Sequence, residues 1–134
     1  MKIEFDTRYL EIVGGDIKTA MMLAVGITKQ IEADKTDEPC EYGNYWGMTI
    51  NKWEALGFGG KKSQKTIRKI LLETKLWKEI LWGYPKHTKY WVDIKKIEEL
   101  IAKIIKTENT EAKRIEEERS IAHVENLNKL IGEV

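Results

Sequence analysis

The feature that most constrains the fold is a change of hydrophobic period between residues 61 and 94. In "KKSQKTIRKILLE", apolar residues recur at Ile67, Ile70 and Leu71, and this spacing predicts an amphipathic helix over about 63–75. The segments "LWKEILWG" and "TKYWVDI" instead contain alternating apolar residues, and the turn sequence "YPKH" separates them. Together they predict a β-hairpin. The chain therefore has to place an amphipathic helix directly before a two-stranded hairpin.

The same stretch carries most of the positive charge of the chain. Residues 61–90 hold nine Lys/Arg and two Asp/Glu, a net charge of +7, whereas the whole 134-residue chain has a net charge of +1. Because charges act over roughly 8–10 Å at physiological salt, a binding surface responds mainly to its local charge. The local excess predicts contact with a polyanion, and the alternative is a solvated lysine-rich surface.

The residues before the basic helix predict a long helix and a short strand. Asp16 can cap a helix over 16–33, since its carboxylate can accept the free N–H groups of the first turn. A polar loop over 34–44 contains Pro39 and Gly43. The aromatic and β-branched residues of "YWGMTI" then predict a short strand.

A second, shorter helix is predicted over "NKWEALGF". Thr49 or Asn51 is its expected N-cap, and Trp53 and Leu56 are its expected buried residues. Three glycines, at positions 57, 59 and 60, then predict a turn. Ser63 is the expected N-cap of the basic helix.

The two ends of the chain predict a strand and a long helix. Residues 2–13 read as a short strand or an extended arm. A long C-terminal helix is expected from residue 94, and its apolar stripe is interrupted at 106–111 and thinner over 112–134. We expect a homodimer formed through residues 94–134, and the alternative is a helix that folds back on its own domain.

Several short motifs occur in one order between residues 16 and 105. They are "T-x-x-x-W" at Thr49 and Trp53, "L-G" at Leu56 and Gly57, "S-x-x-T-[VI]-R" at Ser63, Thr66, Ile67 and Arg68, apolar pairs at Leu71–Leu72 and Leu76–Trp77, and "G-x-P…Y-[YW]" at Gly83, Pro85, Tyr90 and Trp91. This order resembles the winged helix-turn-helix domains of phage and plasmid replication proteins and related transcriptional regulators.

Two departures from that family are visible. The turn "FGGKKS" is about two residues longer than the usual connection between the two helices. The segment "TKLWKEI" lacks the glycine that usually precedes the first strand of the wing. The first departure affects how deeply the third helix sits in the domain, and the second affects the geometry at the end of that helix.

The resemblance implies an α+β fold with a three-helix core, a β-hairpin wing and an additional long C-terminal helix. The expected domains are a winged-helix DNA-binding domain over 1–105 and a charged helical extension over 106–134. The implied function is binding of double-stranded DNA in replication, partition or transcription regulation. The recognition helix at about 63–75 would enter the major groove, and the wing at about 83–89 would contact phosphate or the minor groove.

The expected DNA-binding residues lie on the basic helix and the wing. The candidate phosphate contacts on the helix are Lys61, Lys62, Lys65 and Lys69, beside the helix cap Ser63. The candidate base-reading residues are Gln64, Thr66 and Arg68. The candidate wing contacts are Lys86, His87 and Lys89.

Alternative roles are open for two groups of residues. Arg68 lies beside the apolar stripe, and a packing role paired with a glutamate is its alternative. The hairpin tryptophans Trp77, Trp82 and Trp91 can stack on nucleobases, but their alternating strand positions favour roles in the core and in pairs across the hairpin.

The sequence predicts no enzyme, cofactor or metal site. Cys40 is the one cysteine, and the two histidines, His87 and His123, are too far apart in sequence for a zinc ligand pattern. The acidic run at 116–118 reads as a solvated helix face. No long apolar run or signal sequence is visible, so a cytoplasmic protein without a membrane segment is expected. The alternative function is a protein-interaction module whose basic face binds replication, host or defence machinery.

Overall fold

The structure, a computed structural model, describes residues 2–35 and 44–110. Its architecture is α+β, with helices and a small three-stranded antiparallel sheet. The chain divides into two compact units, Met1–Glu98 and Glu99–Val134, and residues 99–110 of the second unit are helical. Within the described ranges, no helix combines the length and the hydrophobicity needed to cross a membrane.

Residues 8–12 are helical, although a short strand was one of the two forms predicted for residues 2–13. Helix α1 spans Arg8–Ile12. The side-chain carboxylate of Asp6 accepts the backbone N–H of Arg8 at 2.9 Å. The backbone carbonyl oxygen of Asp6 accepts the N–H of Tyr9, also at 2.9 Å. Tyr9 and Val13 are both buried, and a spacing of four residues places them on one side of a helix. The strand prediction was therefore wrong for residues 8–12.

Helix α2 spans Ile17–Asp34, which confirms the predicted first helix. Asp16 precedes it, but the Asp16 side chain makes no hydrogen bond to the backbone of the first turn. Its carboxylate instead accepts the hydroxyl proton of Thr19. The middle of the helix is buried on all sides, since every residue from Met22 to Gly26 is buried, and both ends are mainly exposed.

Helix α3 spans Ile50–Ala55 and begins at the predicted cap. The hydroxyl oxygen of Thr49 accepts the backbone N–H of Lys52 at 3.2 Å. Trp53 is fully buried, as predicted, whereas Leu56 is 41% exposed, so its predicted inward position was wrong. Leu56 instead borders an apolar groove of about 370 Å³. The other residues around this groove come from the N-terminal arm, α2 and the turn after α3: Ile3, Phe5, Ile17, Met21, Ala24, Val25 and Phe58.

Helix α4 spans Lys61–Glu73 and is the predicted basic helix. It begins two residues before Ser63, and its N-cap is Gly60, so the Ser63 cap prediction was wrong. Ile67 and Leu71 are buried, which confirms the apolar face of the helix. The two residues before Ser63 in the longer connection, Lys61 and Lys62, therefore belong to the first turn of α4.

The predicted hairpin is formed by β2, Trp77–Trp82, and β3, His87–Val92. A short strand β1, Trp46–Gly47, pairs with the other edge of β3, so the strand order is β1-β3-β2 and all pairs are antiparallel. Trp77 lies opposite Val92 in the register, and both are buried. The core assignment is confirmed for Trp77.

The other two hairpin tryptophans lie outside the fully buried core. Trp82 is 45% exposed near the tip of the hairpin. Trp91 is half-buried on the outer face, where the amine of Lys78 lies 4.9 Å from the centre of its ring. Trp82 lies opposite His87 and Trp91 lies opposite Lys78, so both occupy cross-strand pair positions of the hairpin.

A cluster of aromatic rings fixes the sheet against the helices. The ring of Trp46 stacks on Tyr90 with their centroids 4.9 Å apart, and it meets Trp77 edge-on at 5.7 Å. Trp53 of α3 meets Tyr90 edge-on at 5.9 Å and Phe58 at 5.3 Å. Each such pair contributes about 0.5–1.5 kcal/mol beyond its buried area. The cluster sets the position of β3 and therefore of the hairpin tip.

Residues 94–110 are helical, and residues 106–110 are all exposed, which fits the predicted interruption of the apolar stripe at 106–111 as far as residue 110. The hydroxyls of Thr107 and Thr110 donate to carbonyl oxygens one turn earlier, at 3.0 and 2.9 Å. This bonding lets threonine remain within a helix. The predictions on residues 111–134, including the acidic run at 116–118 and the thin apolar stripe, lie outside the described residues, as does most of the proposed dimer segment.

The end of α4 has the irregular geometry that the missing glycine suggested. Lys75 has a φ of +61°, in the left-handed region that disfavours L-residues with a side chain. We expect Lys75→Gly to raise the free energy of unfolding by about 0.5–1 kcal/mol, measured by urea denaturation, because glycine adopts this φ without strain. Lys69→Gly, at an exposed position inside α4, is the control and should lower it by about 1 kcal/mol. Equal destabilisation by both changes would contradict the assigned geometry.

Candidate functional site

The exposed face of α4 carries four lysines. Lys61, Lys62, Lys65 and Lys69 are all exposed, as the helical pattern predicted. Within residues 2–35 and 44–110, none of these four side chains makes an ion pair. Their charges are therefore available to an external anion.

A groove of about 710 Å³ lies beside this helix and is the candidate site. One wall is α4 and another is the tip of the hairpin, and the segment from β1 to the first turn of α3 closes the third side. Its lining residues are Gly47, Met48, Thr49, Ile50, Asn51, Lys52, Lys61, Gln64, Lys65, Arg68, Lys86, His87, Thr88 and Tyr90. We call this surface the cationic groove, because five of those residues are lysine or arginine and none is acidic.

The groove brings together about half of the residues predicted from the sequence. The predicted residues that line it are Lys61, Gln64, Lys65, Arg68, Lys86 and His87. The predicted residues that do not line it are Lys62, Ser63, Thr66, Lys69 and Lys89. Of this second set, the four on α4 are exposed and Lys89 is half-buried on the hairpin.

Gln64 has a structural role that differs from its predicted role in base reading. It is 1% exposed, and its amide nitrogen donates to the carbonyl oxygens of Ile50 at 3.0 Å and Gly59 at 2.8 Å. The first bond joins α4 to the start of α3, and the second holds the turn that precedes α4. The amide is therefore not available to a base edge, and the base-reading prediction for Gln64 was wrong.

Arg68 adopts the packing role that was the alternative to base reading. Its Nε lies 2.9 Å from Oε1 of Glu79, and its NH1 donates to the hydroxyl of Tyr90 at 3.3 Å. The indole N–H of Trp53 donates to the same hydroxyl at 3.3 Å. Arg68 therefore ties α4 to both hairpin strands, and its pairing with Glu79 offsets its charge at the base of the groove.

The sequence did not indicate that the start of α3 forms one wall of the cationic groove. Asn51 and Lys52 are exposed and line the groove. Because Thr49 caps α3, these two residues lie in its first turn, directly across from the start of α4. The capping motif gave the start of the helix, but only the fold places that turn beside the basic helix.

The hairpin supplies the remaining groups of the groove. Lys86 and His87 are exposed, and Nδ1 of His87 lies 3.2 Å from the carbonyl oxygen of Pro85. Thr88 and Tyr90 follow on β3 and continue the lining toward the aromatic cluster. The hairpin thus adds one lysine and one histidine to the cations of α4.

No group of three or more His, Cys, Asp or Glu side chains in the described part of the chain is arranged to hold a metal ion. Cys40 and His123 lie outside the described residues, so the predictions about them are untested.

Comparison with family models, with curated proteins and with solved structures finds no match to this chain.

Proposed function

We propose that this protein is a double-stranded DNA-binding protein of the winged-helix type, with α4 as the helix that enters the major groove. The observation that carries the proposal is the meeting of α4, the start of α3 and the hairpin tip around one cationic groove. The roles suggested by the resemblance, in replication, partition or transcription regulation, form part of the proposal. So does a dimer through residues 94–134, since two copies would bind two half-sites.

The dimensions of α4 support this proposal. A helix of 13 residues is about 20 Å long, and the major groove, roughly 12 Å wide, admits a helix. Its exposed lysines would meet phosphates on either side of the major groove, and Ser63 and Thr66 are also exposed on this helix. Hydroxyl side chains donate to or accept from base edges, so these two residues are the proposed base contacts on α4.

The hairpin would lie on the adjacent backbone. Lys86 and His87 are exposed at its tip, and Lys52 and Asn51 would contact phosphate from the opposite wall of the groove. Contacts to about five or six phosphates predict a slope near −5 for log affinity against log salt concentration.

The decisive variant is Lys61→Glu combined with Lys65→Glu. Both lysines are exposed and line the cationic groove, so the change replaces two attractions to phosphate with two repulsions. We expect affinity for a duplex to fall by roughly 100-fold and the salt slope to move from about −5 to about −3. Fluorescence anisotropy with a labelled duplex, repeated over a range of salt concentrations, measures both quantities.

Lys18→Glu combined with Lys35→Glu is the matched control. It makes the same change in charge at two exposed positions on and next to α2 that neither line the cationic groove nor belong to the proposed dimer segment. This control should keep the wild-type salt slope and most of the affinity. An equal loss in both double variants would mean that total charge, and not the cationic groove, governs binding, and the proposal would then be wrong.

Binding of an acidic protein segment is the second candidate function. The observation in its favour is that apolar groups share the groove with the lysines: Met48 and Ile50 line it, and Ile50 is 41% exposed. Poly-glutamate is the discriminating competitor. If it displaces labelled duplex as well as unlabelled DNA of equal charge does, the acidic-protein interpretation is favoured.

A further inference from the structure

The hairpin tip exposes apolar side chains that the cationic groove does not use. Tyr84 is 101% exposed, so its ring makes no contact that shields it from solvent. Leu81, near the end of β2, is 68% exposed. Neither residue lines the cationic groove, although Lys86, two residues after Tyr84, does. The ring of Tyr84, which the fold does not bury, therefore lies at the edge of a cationic surface.

The charge around Tyr84 indicates the kind of partner that would cover the ring. Lys86 and Lys89 follow it, and residues 80–89 contain no Asp or Glu. The nearest carboxylate along the chain, Glu79, is paired with Arg68. The partner that fits is one with negative charge and a flat apolar face, and these two properties meet in a nucleic acid.

A nucleobase stacks on an aromatic side chain strongly enough to change affinity by about tenfold. In a fully paired duplex, however, each base face is already covered by its neighbours in the stack. A protruding ring reaches a base face only where the base is unpaired or the step has been opened, and opening a paired step is unfavourable. The ring of Tyr84 is therefore suited to a base that is already out of the stack.

We propose that Tyr84 stacks on an unpaired base of DNA that lies across the cationic groove, so that the protein prefers duplexes containing such a base. This inference rests on the proposed DNA-binding function. It assigns to the hairpin tip a preference for distorted or partly opened DNA, which is separate from the phosphate contacts of Lys86 and His87.

The test compares two duplexes that differ in one extra, unpaired 2-aminopurine. Anisotropy titration of the wild-type protein should give about tenfold tighter binding to the duplex with the unpaired base. Tyr84→Ala should lose this preference and keep the affinity for the paired duplex, while Tyr84→Phe should keep the preference because the ring remains. The 2-aminopurine fluorescence should fall on binding of the wild type and of Tyr84→Phe, but not of Tyr84→Ala.

Because Tyr84 is fully exposed, its replacement leaves the fold intact, and thermal unfolding of each variant verifies this. Equal wild-type affinity for the two duplexes, or a preference that survives in Tyr84→Ala, would overturn the stacking inference and leave DNA binding in place. If the wild-type protein binds neither duplex, the proposed function is wrong, and the inference that rests on it is wrong too.

Discussion

Replacing Gln30 with leucine is expected to lower the free energy of unfolding by about 3–4 kcal/mol, since it leaves two buried donors without a partner. Gln30 lies in α2 and is 1% exposed. Its side-chain oxygen accepts the indole N–H of Trp46 at 3.1 Å and the backbone N–H of Val92 at 2.9 Å. Urea denaturation followed by far-UV circular dichroism measures the loss.

The position of Val92 explains why this glutamine is needed. Strand β1 pairs only with Tyr90 and Lys89 of β3, so the N–H of Val92 lies beyond the end of that short strand. The side chain of Gln30 supplies the acceptor that a longer β1 would provide. Its amide nitrogen also donates to the carbonyl oxygen of Asn44 at 2.8 Å and thereby holds the residues that enter β1.

Glu32→Leu is the matched control for this prediction. Glu32 lies on the same helix and is exposed, so the same apolar replacement there removes no buried hydrogen bond. Its effect should stay within about 0.5 kcal/mol. A loss in Gln30→Leu no larger than that of the control would mean that Gln30 does not connect α2 to the sheet as the structure describes.

The hydrophobic pattern did not predict the structural roles of the two buried glutamines, Gln30 and Gln64. The periods of α2, α4 and the hairpin gave the elements, because each has a continuous apolar face. Gln64 lies three residues before Ile67 and seven before Leu71, so helical spacing already placed it on the buried face of α4. A polar residue on an apolar stripe was thus a sign of a buried hydrogen-bonding role, and treating it as a base-reading residue overlooked that spacing.

Other parts of the fold depended on contacts that are distant in sequence. The ion pair between Arg68 and Glu79 requires the register of β2 against α4, which no local pattern contains. Helix α1 has only five residues, too few to be stable alone, so its formation depends on the burial of Tyr9. In the candidate site, the lysines of α4 were predictable from helical spacing, whereas the wall formed by Asn51 and Lys52 was not.

Gly26→Ala is expected to lower the free energy of unfolding by about 2 kcal/mol, although the same change on an exposed helix surface stabilises by about 0.5–1 kcal/mol. A Cβ at this position in α2 would overlap Cζ3 of Trp77 and lie 3.1 Å from Cγ2 of Val92. Trp77 is 1% exposed and lies edge-on against Trp46, so its ring has little room to withdraw. Gly26 is therefore the point at which the sheet approaches the backbone of α2.

A double-mutant cycle with Trp77→Phe separates this close approach from other causes. Trp77→Phe alone should destabilise by leaving a cavity, but the smaller ring makes room for a methyl group at position 26. The cost of Gly26→Ala should therefore shrink by about 1 kcal/mol or more in the Trp77→Phe background. Gly47→Ala, where a Cβ meets nothing within 4 Å, should change the free energy by less than about 0.5 kcal/mol. Additive effects of the two changes at positions 26 and 77, or a net gain in stability from Gly26→Ala alone, would contradict the contact between α2 and β2 on which the placement of the hairpin depends.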